Sequence, residues 1–205
     1  MKPFLNRRCV LAMTAVTLSR VVVPPHARAD DTAVAPIHEL TDGLVRVMKA
    51  GRATPFSQRV GMLAPVIDQT FDLTTILKAS VGTAWGALPE DQQATLLKAF
   101  GSYTVASYVN GFDEDNKHFV IDPEPRVDGN EQIVRIRIIP KSGEEYKLDH
   151  VMSRGPEGWR VVDILADGAI SRVAVQRSDF RQLMRKGGAP ALAHSLETRS
   201  TDLSN

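Results

Sequence analysis

Residues 158–188 read G-W-R-V-V-D-I-L-A-D-G-A-I-S-R-V-A-V-Q-R-S-D-F-R-Q-L-M-R-K-G-G, and this stretch decides the fold. Its first part alternates with the period of a strand. The alternation places one set of side chains on one face: Trp159, Val161, Asp163 and Leu165. A corner at Asp167-Gly168 follows, and apolar residues then recur at helical spacing until Gly187-Gly188. The stretch therefore predicts a strand that turns directly into a helix.

Three further stretches with a period of two precede this strand, at residues 117–121, 131–139 and 145–153. Short turn sequences rich in glycine separate them. Because a parallel crossover needs about a dozen residues or more, such short connections predict antiparallel neighbours. In the second stretch apolar Val134, Ile136 and Ile138 alternate with Arg135 and Arg137. The sequence thus predicts a four-stranded antiparallel meander with one wet face and one face packed on helices.

The chain before residue 115 has helical periodicity instead. It predicts a helix that ends at Gly51, a second that opens at Pro55 and a third with Asp72 as its N-cap. Pro89 and the two acids after it open a fourth helix. We therefore expect an α+β fold, in which helices from both ends of the chain pack on one concave face of the sheet.

Residues 1–29 have the layout of a cleaved secretory signal. Three basic residues precede a short apolar run, and Ala27-Arg28-Ala29 forms a small-residue cleavage site before Asp30. We expect export to the periplasm and a single domain over residues 30–205. The adjacent Arg7 and Arg8 leave the export route open between the general secretory and the twin-arginine pathways.

The composition of residues 30–205 argues against several functions. The full chain has 25 basic and 24 acidic residues; five of the basic residues and none of the acidic ones lie in residues 1–29, so the remainder carries a net charge of −4. A slightly acidic chain is a poor binder of nucleic acid. Cys9, the single cysteine, falls in the leader, which removes disulfides and cysteine catalysis. Without a G-x-x-x-x-G-K-[ST] loop the chain could not drive transport itself, and we expect no cofactor.

Several short motifs occur in a characteristic order: A-S-V-G-T-A-W at 79–85, P-E-D-Q-Q at 89–93, G-W-R-V-V-D-I-L-A-D-G-A-I-S at 158–171, R-S-D-F at 177–180 and R-K-G-G at 185–188. Together they resemble the MlaC/toluene-tolerance family of periplasmic lipid carriers. Three more pieces resemble most the branch associated with hopanoid biosynthesis: V-M-K-A-G-R-A-T-P-F at 47–56, L-A-P-V-I-D at 63–68 and Y-T-V-A-S-Y-V at 103–109.

The resemblance implies a soluble, monomeric carrier that is not an enzyme. It would shuttle a phospholipid or hopanoid between an inner-membrane transporter complex and an outer-membrane complex. The lipid would lie in an apolar cavity between sheet and helices, because exposing one long acyl chain to water costs on the order of 10 kcal/mol.

The apolar residues of the helices and of the inner sheet face are then candidates for the cavity wall. The strand candidates are Val134, Ile136, Ile138, Leu148, Met152, Val161 and Leu165. The helical candidates are Leu77, Val81, Phe100, Tyr103 and Tyr108. Each is also compatible with an ordinary core position, since apolar stripes usually form the core.

Arg177, Arg181 and Arg185 recur at i, i+4 spacing on the last helix. They fit a solvated face, with cations complementing the helix dipole near its C-terminus. They also fit a contact surface for a membrane partner or a lipid head group on an otherwise acidic protein.

Two other function classes fit the sequence. Helices on a curved sheet also resemble nuclear-transport-factor-like folds, some of which are isomerases or dehydratases, and Asp163 or His150 would then be the base. Asp163 is alternatively a structural acid, with a helical arginine such as Arg177 as its partner. His118 and His150 could meet across the sheet, but they lack a third ligand, so we expect no metal site. The remaining class is a periplasmic interaction module without a small ligand.

Overall fold

The computed structural model describes residues 32–205, so the predicted signal segment 1–29 lies outside the described residues. The helices are α1 (Ala35–Ala50), α2 (Phe56–Thr70), α3 (Leu73–Val81), a 3-10 helix (Gly82–Ala87), α4 (Glu90–Gly111) and α5 (Arg172–Asp202). The strands are β1 (Lys117–Ile121), β2 (Arg126–Asp128), β3 (Glu131–Pro140), β4 (Tyr146–Gly155), β5 (Gly158–Ala166) and β6 (Ile170–Ser171). The α+β class is confirmed.

The helix boundaries follow the predicted signals. Gly51 ends α1 with a φ of 65°, a conformation that favours glycine. Asp72 caps α3, because its side chain accepts a hydrogen bond of 2.8 Å from the backbone N–H of Thr75. Pro89 precedes α4, whose first turn carries Glu90 and Asp91 at the positive end of the helix dipole. Local chemistry therefore sets where these helices begin and end.

The sheet is antiparallel, with the order β1-β3-β4-β5-β6, and β2 pairs with the same edge of β3 as β1 does. The predicted count of four strands is wrong, since residues 32–205 form six. The two additional strands, β2 and β6, have three and two residues. Elements this short show no periodicity in a sequence, whereas the four long strands and their meander order follow the prediction.

A β-bulge in β5 changes which side chains share a face. Val151 pairs with Asp163 and Met152 pairs with Val161, so Val162 has no partner of its own on β4. The alternation therefore restarts after the bulge. Leu165 pairs with Asp149 on the face away from the helices. The prediction that Asp163 and Leu165 share a face with Val161 is wrong for this reason.

The outer face of the sheet carries an ion pair between a half-buried arginine and a buried aspartate. Nε and Nη2 of Arg135 donate to the two carboxylate oxygens of Asp149, at 2.6 and 2.8 Å. The hydrogen bonds from Arg135 hold the pKa of Asp149 below its usual range. The corner between β5 and β6 packs on this pair with φ values of 49° at Asp167 and 74° at Gly168. Positive φ at both positions is typical of a tight hairpin turn. The ion pair and the turn together fix the end of β5.

Helix α5 has two segments. Gly187 and Gly188 leave helical geometry, as their position in the sequence predicts, but the chain then continues as helix to Asp202. The second segment buries Leu192 and Leu196 against the rest of the core. Within residues 32–205, no helix is both long and apolar enough to cross a bilayer.

Candidate functional site

A small, partly open apolar cavity lies where α3, α4, β5 and the start of α5 meet. Its volume is about 20 Å³, room for about one water molecule. The lining consists of Phe71, Leu73, Ile76, Phe100, Thr104, Tyr108, Asp163, Ile164, Arg172, Val173 and Gln176. The surrounding helices and β5 meet here without closing completely.

Aromatic rings form much of the cavity wall. The rings of Phe71 and Tyr108 lie 5.6 Å apart, and Phe100 meets Phe180 edge to face at 6.2 Å. Such tilted and edge-to-face contacts hold the rings in defined orientations. Burial raises the pKa of Tyr108 to about 12, so its phenol stays neutral. The wall is therefore apolar and uncharged on the α4 side.

Asp163 lies at the edge of the cavity and caps α5. Its carboxylate accepts hydrogen bonds from the backbone N–H groups of Ile164, at 2.7 Å, and Val173, at 3.0 Å, and from the hydroxyl of Ser171. These donors satisfy the acid without a salt bridge to any cation of residues 32–205. The structural interpretation of Asp163 is confirmed, but the suggested partner is wrong. Arg177 instead donates its Nε to the carbonyl of Ala79, at 2.8 Å, near the end of α3.

On one flank of α4 the cavity adjoins an open cleft of about 340 Å³, whose mostly apolar lining includes the charged side chains of Arg172, Asp179 and Arg199. Ile164, Arg172 and Gln176 line both spaces. The remaining lining of the cleft is Tyr103, Leu148, Ala166, Ile170, Val175, Asp179, Phe180 and Arg199. The cavity thus meets a charged surface at the N-terminal end of α5.

On the other flank of α4 lies a longer groove of about 760 Å³, between α2 and α4. Phe71 and Leu73 line both this groove and the small cavity. A volume of this size falls within the range of about 300–1,000 Å³ that is usual for ligand pockets. The cleft, the cavity and the groove therefore follow one another from one flank of α4 to the other.

The family model for the MlaC protein matches residues 38–198, which span the helices, the sheet and both segments of α5. The chain belongs to the MlaC family. The predicted family resemblance is confirmed. No curated protein matches.

A solved structure with the same fold is that of the phospholipid-binding protein from Ralstonia solanacearum in complex with a phospholipid. It is 21% identical to this MlaC-family chain, with a TM-score of 0.71, and the match covers 84% of this chain and 99% of that one. At this identity the likeness shows a shared fold.

The predicted wall residues of this MlaC-family protein fall into three groups. Phe100 and Tyr108 line the cavity, and Tyr103 and Leu148 line the cleft. Seven belong to the buried core without lining the cavity, cleft or groove: Leu77, Val81, Val134, Ile136, Ile138, Met152 and Val161. Leu165 lies on the opposite face of the sheet. Most of the predicted wall thus occupies closely packed core.

Several lining residues were missed in the sequence. Phe71 stands in the short loop between α2 and α3, and Thr104 and Gln176 are polar. A search for apolar stripes passes over such positions. The usable signal was the adjoining Asp72 cap, which places Phe71 at the start of α3 and so beside the inner face of the sheet.

His150 is buried among apolar side chains on β4. Burial lowers its pKa to about 4, and its Nδ1 has no hydrogen-bond partner within residues 32–205. His118 is exposed on β1, and β3 lies between the two strands. The prediction that the two histidines could meet is wrong, because they are not on neighbouring strands. The described part of the chain holds no cluster of three or more metal-ligating side chains.

Arg177, Arg181 and Arg185, which we call the arginine stripe, are exposed on the first segment of α5. Arg177 is engaged with Ala79 as described above. Arg181 and Arg185 form no salt bridge with any acid of residues 32–205. They therefore present two positive charges on the surface of the helix that covers the cavity.

Proposed function

We propose that this MlaC-family protein is a lipid carrier that holds the apolar part of a membrane lipid between α3, α4, β5 and α5. The observation that carries the proposal is an apolar, aromatic-walled cavity that adjoins a charged cleft at Arg172 and Gln176. Family membership supports it. So does the phospholipid bound by a protein of the same fold.

Uptake of a lipid requires the cavity to widen, because about 20 Å³ is far too small for an acyl chain. The first turns of α5 are held to α3 by polar contacts. Ser80 Oγ lies 3.1 Å from Gln176 Oε1, and Arg177 bonds the carbonyl of Ala79. Water can replace such hydrogen bonds at a small net cost, about 0.5–1.5 kcal/mol each. Separation of this part of α5 from α3, against the packing of Phe180 on Phe100, is our candidate route for a lipid.

The cleft suits a head group that bears a phosphate. Two guanidinium groups, those of Arg172 and Arg199, line it together with the carboxylate of Asp179. Guanidinium groups bind phosphate oxygens through charge-assisted hydrogen bonds. A neutral polycyclic lipid would not use these charges. We therefore favour a phospholipid as cargo, with a hopanoid as the second candidate on the strength of the branch resemblance.

Export through residues 1–29 would place the carrier in the periplasm, as a monomeric domain of residues 30–205. It would exchange lipid with an inner-membrane transporter complex and an outer-membrane complex, which would supply energy and direction. Arg181 and Arg185 are our candidates for the docking contact. Reversing both to glutamate should slow lipid transfer to partner membranes while leaving bound lipid unchanged. Transfer at the wild-type rate would remove the docking role.

Lipid extraction from the purified protein, followed by mass spectrometry, tests the function. We expect stoichiometric phospholipid on the wild type and little on Thr104→Phe, which fills the cavity. Thr95→Phe is the matched control, because Thr95 is exposed on the same helix and makes the same hydroxyl bond to the carbonyl four residues earlier as Thr104. A wild-type protein free of lipid, even after incubation with phospholipid vesicles, would contradict the proposal.

The alternative of an isomerase or dehydratase gains no support from its two candidate bases. The carboxylate of Asp163 already accepts hydrogen bonds from the backbone N–H groups of Ile164 and Val173. His150 lies in the core and lines neither cavity nor cleft.

A further inference from the structure

The groove between α2 and α4 has the walls of an apolar ligand site. Phe56, Val60 and Ala64 stand on α2 at i, i+4 and i+8. Leu97, Gly101 and Val105 stand on α4 at the same spacing, and these two stripes line the groove along its length. Most of these residues are only partly buried, although their spacing is that of a packed helix pair. The two helices thus leave apolar surface facing an open space.

Two residues, Phe71 and Leu73, lie between this groove and the small cavity. Leu73, the first residue of α3, lines both spaces together with Phe71. Its Cδ1 lies 3.7 Å from where a β-carbon on Gly101 would stand. Phe71 is fixed by its ring contact with Tyr108. The side chain of Leu73 is the more movable part of the partition, since it is held only by van der Waals contacts of this kind.

We propose that the groove between α2 and α4 receives the distal end of the cargo's acyl chain, and that Leu73 is the partition that the chain displaces. The inference rests on the proposed carrier function. The charged cleft holds the head group on one flank of α4, the cavity admits the middle of the chain, and the groove provides the volume that the cavity lacks. The apolar stripes match a hydrocarbon end. The rest of the lining also includes polar side chains, those of Asp68, Asp72, Thr74, Lys98, Ser102, Arg160 and Ser200.

This arrangement makes chain length the property that the groove recognises. Each methylene that reaches the groove adds buried apolar surface, and about two methylenes change the affinity roughly tenfold. The wild type should therefore bind dipalmitoyl phosphatidylethanolamine more tightly than the dimyristoyl lipid, and the dimyristoyl lipid more tightly than the dilauroyl lipid.

Gly101→Phe tests the groove by filling it from α4. We expect the variant to bind the dilauroyl lipid as the wild type does, and to bind the dipalmitoyl lipid about tenfold more weakly than the wild type. Replacing a glycine inside a helix removes a backbone penalty, so the change favours folding of α4. Gly61→Phe is the matched control, because Gly61 is exposed on α2 and a β-carbon there would meet no atom of residues 32–205 within 4 Å.

Two further variants keep the test decisive. Val60→Trp fills the groove from α2 and should reproduce the loss for long chains if Gly101→Phe does not fold. Leu73→Ala removes the partition and should strengthen binding of the dipalmitoyl lipid relative to the dilauroyl lipid. The same chain-length profile in wild type and groove-filled variants would overturn the inference and leave the carrier function intact. A wild type that binds none of the three lipids would overturn both.

Discussion

The interface between α1 and α2 and the layer formed by α3, α4, β5 and α5 bury apolar residues in different ways. In the first region, which we call the packed half, Ile37, Leu63 and Ile67 are fully buried, and a β-carbon on Gly43 would approach Val66 to 3.1 Å. In the second, the cavity half, Thr104 and Asp163 line an unfilled cavity among aromatic rings. The contrast separates a closely packed part of the core from a part where packing leaves a small unfilled space. Substitutions should therefore affect stability in the packed half and lipid binding in the cavity half.

The largest expected effect is a loss of stability in the packed half. Leu63→Ala should lower the free energy of unfolding by about 2–5 kcal/mol, since it removes a fully buried side chain from a site that has little room to collapse. Met62 is 41% exposed on the same helix, so Met62→Ala is the control. Urea denaturation measures both. Equal losses for the two variants would mean that this half is not tightly packed.

Acid should destabilise the protein through His150, which is buried on β4 between Val134 and Ile164. The pKa of His150 is about 4 in the folded protein, against 6.5 ordinarily, so the unfolded chain takes up the proton first as the pH falls. The contribution of neutral His150 to the free energy of unfolding is therefore fully present above about pH 6.5. It decreases by about 3 kcal/mol as the pH falls towards 4.

Denaturation at about pH 7 and about pH 4 should therefore show a smaller acid-induced loss for His150→Phe than for the wild type. The exposed His118 provides the control, and His118→Gln should behave like the wild type. The salt-bridged Asp149 has a lowered pKa, so its contribution is lost only at still lower pH. A wild type and His150→Phe with the same pH dependence would show that His150 is hydrated in the folded protein.

Substitutions in the Asp167-Gly168 corner test how firmly the end of β5 is held in place. Gly168→Ala should lower the free energy of unfolding by about 1–2 kcal/mol because φ is positive at this position. It should lower it further because the new β-carbon would lie 3.3 Å from Asp149 Oδ2. Gly129→Ala has a comparable φ of 59° but meets no atom of residues 32–205 within 4 Å, so it isolates the backbone cost. Thermal unfolding separates the two. A loss no greater for Gly168→Ala than for Gly129→Ala would remove the role of the ion pair in holding this turn.

The smallest expected difference compares one helical glycine from each half. Gly101→Ala in the cavity half should raise stability by about 0.5–1 kcal/mol, because its β-carbon finds ordinary contact space near Leu73. Gly43→Ala should gain less or lose stability, because Val66 and Leu63 lie 3.1–3.2 Å from the new carbon. Equal gains, measured by urea denaturation, would break the distinction in packing between the halves.

The helices and long strands could be predicted because local residues determine them. Gly51, Asp72 and Pro89 act within one turn of chain, and the alternation in β3 is uninterrupted. The bulge at Val162 could not be predicted in this way, because it depends on pairing with β4 and the sequence shows only continued alternation. For the same reason Leu165 was assigned to the wrong face. Strand β6 has too few residues to show a period.

The candidate site was predicted less completely than the fold. The helical candidates Phe100 and Tyr108 line the cavity, but Val134, Ile136 and Ile138 form closely packed core below it. Hydrophobicity in the sequence identifies which residues are buried. It does not show where the buried side chains leave a cavity between them. That depends on how α5 crosses β5, which is set by the cap from Asp163 and the kink at Gly187-Gly188.

Photo-crosslinking of a bound lipid tests the assignment of the cargo to the cavity half most directly. A phosphatidylethanolamine with a diazirine in the middle of one acyl chain would be loaded onto the wild type, irradiated and mapped by peptide mass spectrometry. We predict labelled residues on α3, on α4 from Phe100 to Tyr108, and at the start of α5 around Val173. Labels confined to α1 or to the exposed arginine stripe, with none on these three helices, would contradict the account.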